Sequence, residues 1–197
     1  RAVAVSPDEP DWVYALCGKD SDASFLGLYR STDGGQTFSL RTNSPNLFGY
    51  SETGDDDAGQ SWYDMALAVD PSDASVVFVG GVNVWSSFDG GSSFDINSHW
   101  VYPSFVGYTH ADIHSLDFYG GNLYCGSDGG IFKTTNYGSV WNDLTPGMEI
   151  SQFYRLGGSP QNVGLVIGGT QDNGTLYNSK NNSSPMEFRD VIGGDGF

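Results

Sequence analysis

The sequence predicts an all-β fold of repeated four-stranded antiparallel blades, and three observations carry the prediction. First, an octapeptide recurs. It reads Ser31-Thr32-Asp33-Gly34-Gly35-Gln36-Thr37-Phe38, then Ser87-Phe88-Asp89-Gly90-Gly91-Ser92-Ser93-Phe94, and with Asn for Asp, Thr134-Thr135-Asn136-Tyr137-Gly138-Ser139-Val140-Trp141. Second, no stretch has a helical period, whereas many short apolar runs are separated by Gly, Pro, Asp, Asn and Ser. Third, matched apolar positions Tyr14, Phe78, Tyr124 and Val166 are 64, 46 and 42 residues apart. The two shorter intervals match the period of about 40–50 residues of a β-propeller blade.

Taken in order, the first repeat covers about 1–43. Ala2–Val5 is its first strand, Trp12–Cys17 its second and Phe25–Ser31 its third, and the octapeptide turns the chain into a fourth near Phe38. A polar excursion, Ser44 to Gln60, carries Asp55-Asp56-Asp57 and reads as a solvated loop. It lacks the alternating Asp/Asn spacing and distal Glu of a calcium loop, so a structural calcium is only the minority reading. The second repeat covers about 63–97, with strands at Met65–Val69, Val76–Val79, Val82–Ser86 and Phe94–Ile96. An insertion follows, with His99, Trp100, Tyr102, Phe105 and Tyr108. The third repeat covers about 110–145, opening on His110-Ala111-Asp112-Ile113-His114 as strand. The fourth covers about 151–190, its octapeptide decayed to Ser179–Ser184, and 191–197 reads as the start of a further blade. Four blades in a propeller of 4–8, with a fifth begun, imply that the remaining blades come from the parent chain or from another chain.

The octapeptide is hairpin-turn chemistry. An Asp or Asn side chain accepts from backbone N–H groups just ahead of it, Gly supplies positive φ, and the final aromatic starts the next strand. Ser31, Asp33, Gly35, Phe38, Ser87, Asp89, Gly91, Phe94, Thr134, Asn136, Gly138 and Trp141 are therefore read as structural. The motif resembles the Asp-box, or BNR repeat, of sialidase-like, sortilin-like (VPS10) and xyloglucanase-like propellers. Two copies match fully and the third carries Asn for Asp.

Composition excludes several classes of partner. The net charge is −16, from 24 acids against 8 bases, and that field repels phosphate backbones, so nucleic acid is excluded. No run of about 20 apolar residues could span a membrane, and no signal peptide is present. The chain opens inside a strand pattern and stops at Gly194-Asp195-Gly196-Phe197, as a mature or excised piece of a longer protein would. Cys17 and Cys125 sit in strand-type runs of different repeats and are expected to be free thiols.

Blade geometry sorts the loops into two faces. The octapeptide turns lie on one. Residues just before each first strand, and the turns between second and third strands, ring the channel mouth on the other. That mouth collects Trp62, Tyr63, Asn83, Trp100, Tyr102, His110, Asp128, Gln152, Gln171 and Asn173 as ligand-binding candidates. Flat aromatics beside hydrogen-bonding groups suit a sugar ring, and loops on a rigid scaffold carry function. Asp64, Asp112, Asp172 and Asp195 are the carboxylates available for glycoside hydrolysis, which needs a pair about 5–9.5 Å apart. The competing reading is that these Asp cap glycine-rich turns. His110, Asp112 and His114 alternate and would share one side of a strand, which allows a metal site. No further ligand is identifiable, so channel-lining hydrogen bonds are the expectation and no metal or cofactor is assigned.

The wider segment resembles propeller domains of large secreted bacterial proteins labelled glycosyl hydrolase-like or sortilin-like. The residues that carry this are Gln60-Ser61-Trp62-Tyr63-Asp64, Val79-Gly80-Gly81-Val82-Asn83-Val84-Trp85, His110-Ala111-Asp112, Gly126-Ser127-Asp128-Gly129-Gly130-Ile131, Gln171-Asp172-Asn173-Gly174-Thr175 and Gly193-Gly194-Asp195-Gly196. The resemblance implies a secreted or cell-surface module that binds glycan or an extracellular protein. The alternative it implies is part of a glycoside hydrolase. A sialidase would need an arginine triad, and the arginines here are Arg1, Arg30, Arg41, Arg155 and Arg189. Phe153-Tyr154-Arg155-Leu156 is followed by Gly157 where a sialidase element has Pro.

Overall fold

The computed structural model describes residues 1–101, 106–148, 151–162, 164–178 and 188–196. It is all-β, with four antiparallel four-stranded sheets, each a simple meander. Sheet 1 holds β1 (Ala2–Val5), β2 (Val13–Gly18), β3 (Phe25–Ser31) and β4 (Ser39–Thr42). Sheet 2 holds β5 (Ala66–Asp70), β6 (Asp73–Gly80), β7 (Val84–Ser87) and β8 (Asp95–Ser98). Sheet 3 holds β9 (Ile113–Tyr119), β10 (Asn122–Ser127), β11 (Gly130–Thr134) and β12 (Asn142–Asp143). Sheet 4 holds β13 (Phe153–Gly158), β14 (Val166–Thr170), β15 (Thr175–Asn178) and β16 (Arg189–Ile192). Residues 1–145 and 146–197 are two compact units, with sheets 1–3 in the first and sheet 4 in the second.

In the first unit the opening strands β1, β5 and β9 are neighbours, so the sheets meet face to face from an inner edge outward. Sheet 2 is sandwiched. Its Val69, Val77, Val79 and Trp85 meet Tyr14, Leu16 and Leu28 of sheet 1. Its Ala66, Ala68, Phe78 and Val84 meet Ile113, Leu116, Leu123 and Phe132 of sheet 3. Strand period 2 explains the division, because odd and even positions of β5 and β6 point to opposite neighbours. Both cysteines are free, and burial pushes the Cys125 thiol up.

The three octapeptide turns share one bonding scheme. In the first, Ser31 Oγ donates to Asp33 Oδ1 (2.6 Å) and accepts from Gly35 N (2.9 Å). Asp33 Oδ1 also accepts from Gln36 N and Thr37 N, both at 2.9 Å. The second repeats this around Ser87 and Asp89, with Ser92 N at 2.8 Å and Ser93 N at 3.0 Å. In the third, Asn136 Oδ1 keeps the bond from Val140 N at 3.0 Å, and Thr134 Oγ1 keeps the one from Gly138 N at 2.8 Å. Gly34, Gly35, Gly90, Gly91 and Gly138 all have φ between 71° and 88°, the left-handed region where a Cβ is costly. Tyr137 fills the Gly34 position of the third copy at φ 55°.

Three expectations need correction. Residues 44–60 are not simply a solvated loop: Leu47 and Phe48 are fully buried in the core between sheets 1 and 2. Burial of two such side chains contributes about 2–3 kcal/mol each. Asn46 fastens the loop, accepting from Phe25 N (2.9 Å) and donating to Asp56 O (3.0 Å) and Ala58 O (2.9 Å). The acidic residues Glu52, Asp55 and Asp57 remain exposed. His110, Ala111 and Asp112 do not belong to a strand, because β9 begins at Ile113 and Asp112 has φ 63°. Their side chains therefore do not alternate on one side with His114. Val191 and Ile192 open no further blade; they end β16, the fourth strand of sheet 4. Tyr102, Phe105 and the decayed turn at Ser179–Ser184 lie outside the described residues.

Candidate functional site

In the first unit the mouth is built by the turn before β5, the turn before β9 and the β10–β11 turn. Gln60 O accepts from Tyr63 N (2.8 Å) and Asp64 N (3.2 Å), a tight turn that directs Asp64 inward and leaves Trp62 79% exposed. Asp64 is fully buried, and its Oδ2 accepts from Gln60 Nε2 at 2.8 Å. The same Gln60 Nε2 donates to Asp112 Oδ1, so one amide ties two carboxyls together. Gln60 Oε1 in turn accepts from Tyr50 OH at 3.1 Å.

Asp64 Oδ1 is buried without a hydrogen-bond partner. A carboxylate oxygen there has nothing to accept, whereas a protonated carboxyl can donate to Asp112. The carboxyl is accordingly raised to about 8, first by burial and then by the charge of Asp112 and the hydrogen bond to it, against the pull of Gln60. Asp112 is also raised, by burial and then by the charge of Asp128. The Asp112 and Asp128 oxygens lie within 4.8 Å of one another. Asp128 is held from both sides, by Tyr63 OH on Oδ2 and His114 Nε2 on Oδ1, each at 2.7 Å. Tyr63 packs edge-on against His114 with ring centroids 5.0 Å apart, and Trp62 leans on Tyr63 at 5.5 Å. The His110 ring occupies the space where a Cβ on residue 129 would sit, which requires Gly129.

The aromatic rim continues through Trp100, 43% exposed, whose Nε1 donates to Tyr50 O at 3.4 Å. Asn83, a ligand-binding candidate on sequence grounds, is fully buried. Its amide donates to Tyr50 O (3.3 Å) and accepts from Trp100 N (3.2 Å), so it builds the rim without touching a ligand. Gln60 and Tyr50 were absent from the sequence candidates. The signal for Gln60 was available: it stands four residues before Asp64, as close as a turn allows.

Within the second unit several candidates are hydrogen-bonded to one another. Asp195 Oδ1 accepts from Asp172 N (3.0 Å) and from Tyr154 OH (3.3 Å). Gln171 N donates to Gln152 O at 3.0 Å, and Asn173 Nδ2 to Gln171 O at 3.0 Å. Asp172 adopts φ 55°. Here Asp195 caps a turn, the structural alternative weighed above.

Comparison with known proteins bears on the fold. No protein-family model matches the chain, and no curated protein does. Solved structures do. A GH74 enzyme from Niastella koreensis matches with TM-score 0.50 and 19% identity over 94% of this chain and 29% of its own. An ancestral GH74 enzyme matches with TM-score 0.46 and 17% identity, over 96% and 25%. Ycf48 bound to a D1 peptide matches with TM-score 0.46 and 16% identity, over 94% and 53%. The first match shows a likeness to a GH74 enzyme, and at 19% identity that likeness is one of fold. The chain spans about 29% of the first of these proteins and about half of the third.

Proposed function

We propose that this chain is part of a secreted or cell-surface propeller module that binds a glycan at its mouth face. One observation carries the reading. Trp62 is 79% exposed, an unusual position for so large an apolar ring, and it leans on Tyr63, whose hydroxyl is anchored on Asp128. A sugar ring stacked on Trp62 would present its hydroxyls to Asp112 and Asp128, as flat aromatics flanked by acceptors require. A low lysine and high acid content suits an extracellular setting. Glycan-array screening, followed by titration of the best hit, tests it. Trp62→Ala should abolish binding and Asp112→Asn weaken it at least tenfold. Undiminished binding by both variants would refute the assignment.

A second reading, glycoside hydrolysis by paired carboxyls, is favoured by the pairing of Asp64, raised to about 8, with Asp112 across one shared amide. Full burial of Asp64 confines it to acting through Asp112. Release of reducing sugar from soluble polysaccharides, lost in Asp112→Asn, would establish this reading over simple binding.

A further inference from the structure

Two blade-to-blade interfaces in residues 1–145 follow one rule. In sheet 2, the cross-strand row Leu67–Val79–Trp85–Ile96 and the pair Val69–Val77 face sheet 1 and are packed against it. Val77 pairs with Ser87, the first residue of the Asp-box. Sheet 1 carries the same rows in the same register: Val3–Ala15–Tyr29–Leu40 and Val5–Val13, with Val13 paired to Ser31 of its own Asp-box. In sheet 2 these rows are core. In sheet 1, Val3 is 67% exposed, Val5 58% and Leu40 49%.

The second half of the rule is polar. The last strands of sheets 1 and 2 each have a bulge, and the bulge residue grips the next blade. Arg41 lies between the pairs Leu28↔Thr42 and Tyr29↔Leu40, and its Nε donates to Gly90 O at 2.8 Å. Asn97 lies between Val84↔Ser98 and Trp85↔Ile96, and its Nδ2 donates to Tyr137 O at 2.9 Å. Gly90 and Tyr137 are both the fourth residue of their Asp-box. The corresponding residue of the first Asp-box is Gly34, which is exposed where Gly90 is buried. The closing aromatic agrees: Phe38 is 45% exposed and Phe94 7%.

We propose that the open face of sheet 1 is the docking site of a further Asp-box blade supplied by polypeptide outside these 197 residues. That blade lays small and apolar side chains on the Val3–Ala15–Tyr29–Leu40 row. An arginine or amide in its terminal bulge donates to the Gly34 carbonyl. A second copy of this chain fits poorly. The bulge residue of sheet 4 is Val191, which has no donor. The equivalent outward row of sheet 3 is Asp117–Tyr124–Lys133, where the rows that do pack in this way begin Ala4–Tyr14 and Ala68–Phe78. A second copy would also bring another −16 of charge.

Cys17 provides the test, because it follows Val13 and Ala15 on the open face and is a half-buried free thiol, while Cys125 is buried. The probe blade is residues 1–64 duplicated ahead of Arg1, with Cys17→Ser in the added copy so that one surface thiol remains. It brings its own Arg41 over Gly34. Labelling of the original Cys17 by a maleimide should slow at least tenfold in the extended protein, and Arg41→Ala in the added copy should restore most of the rate. An unchanged labelling rate overturns the proposal. The 197-residue chain is tested separately with Val3→Lys and Leu40→Lys combined. An unshifted melting temperature supports a face left open by this chain, and loss of folding overturns it. Sedimentation showing the unaltered chain to be a dimer that these two substitutions dissociate would assign the face to a second copy and overturn the stated source.

Discussion

The two ends of these blades are both rich in Asp, and they treat the carboxyl group in opposite ways. At the Asp-box end, Asp33 and Asp89 each accept several N–H and O–H bonds within their own turn. Against the cost of partial burial, bonds from Ser93, Ser87 and Ser92 hold Asp89 down to about 2, and bonds from Ser31 and Thr37 hold Asp33 well below the usual carboxylate range. At the mouth, Asp64 and Asp112 share a single amide, and burial pushes both up, helped by the charge of Asp112 on Asp64 and of Asp128 on Asp112. One end spends its charge on shape. The other keeps charge that its own side chains do not fully compensate, and that is where a ligand or a proton has something to gain.

The largest expected effect separates the two ends by pH. Asp64 is raised, so the folded chain holds a proton that the unfolded chain releases near pH 4. Its contribution is full below about pH 4 and is lost as pH climbs through about 8, at about 1.4 kcal/mol per pH unit for one proton. Asp89 is depressed and works in the other direction, its contribution present above about pH 4 and lost as pH falls through about 2. Thermal melts from pH 4 to 8 should show this decline, and Asp64→Asn should flatten it without touching the acid limb. A wild-type profile flat over that range would break the contrast.

Next in size is Asp89→Ala. It strands the Ser92 and Ser93 N–H groups and loosens the turn that Arg41 grips, for a loss of about 2 kcal/mol by chemical denaturation. Asp33→Ala should cost less, since its turn is gripped by no neighbour among the described residues. The reverse order would argue that the turn alone, and not its docking, sets the cost. Tyr63→Phe removes the 2.7 Å bond to Asp128 and should cost about 1 kcal/mol, with ligand affinity falling in step. Smallest is Trp62→Ala, which should leave stability within about 0.5 kcal/mol while removing ligand binding. A large loss of stability there would recast Trp62 as core.

What could be read from the sequence divides along the same line. The Asp-box is local: its bonds run from residue i to i+2, i+3 and i+4, so the octapeptide alone specifies them. The four sheets followed from its recurrence and from the alternating apolar runs. The mouth is non-local. Asp64 meets Asp112 across 48 residues of sequence and Tyr63 meets Asp128 across 65, and composition holds no trace of either distance. The His110–Asp112–His114 alternation misled because a positive φ at Asp112 breaks the period before the strand starts. The Leu47-Phe48 pair was hidden by its acidic neighbours, although two adjacent large apolar residues in a polar run are themselves a burial signal.

That buried pair has a consequence for handling the protein. The connection between the first two blades is anchored by Asn46 and plugged by Phe48, with only the Glu52–Asp57 stretch presenting acidic residues to solvent. An acid-specific endoprotease should nick the chain at Asp55 or Asp57 and yet release no fragment, since the cut ends stay fastened on both sides. The same tip is therefore the place to insert an epitope or a fluorophore without parting the blades.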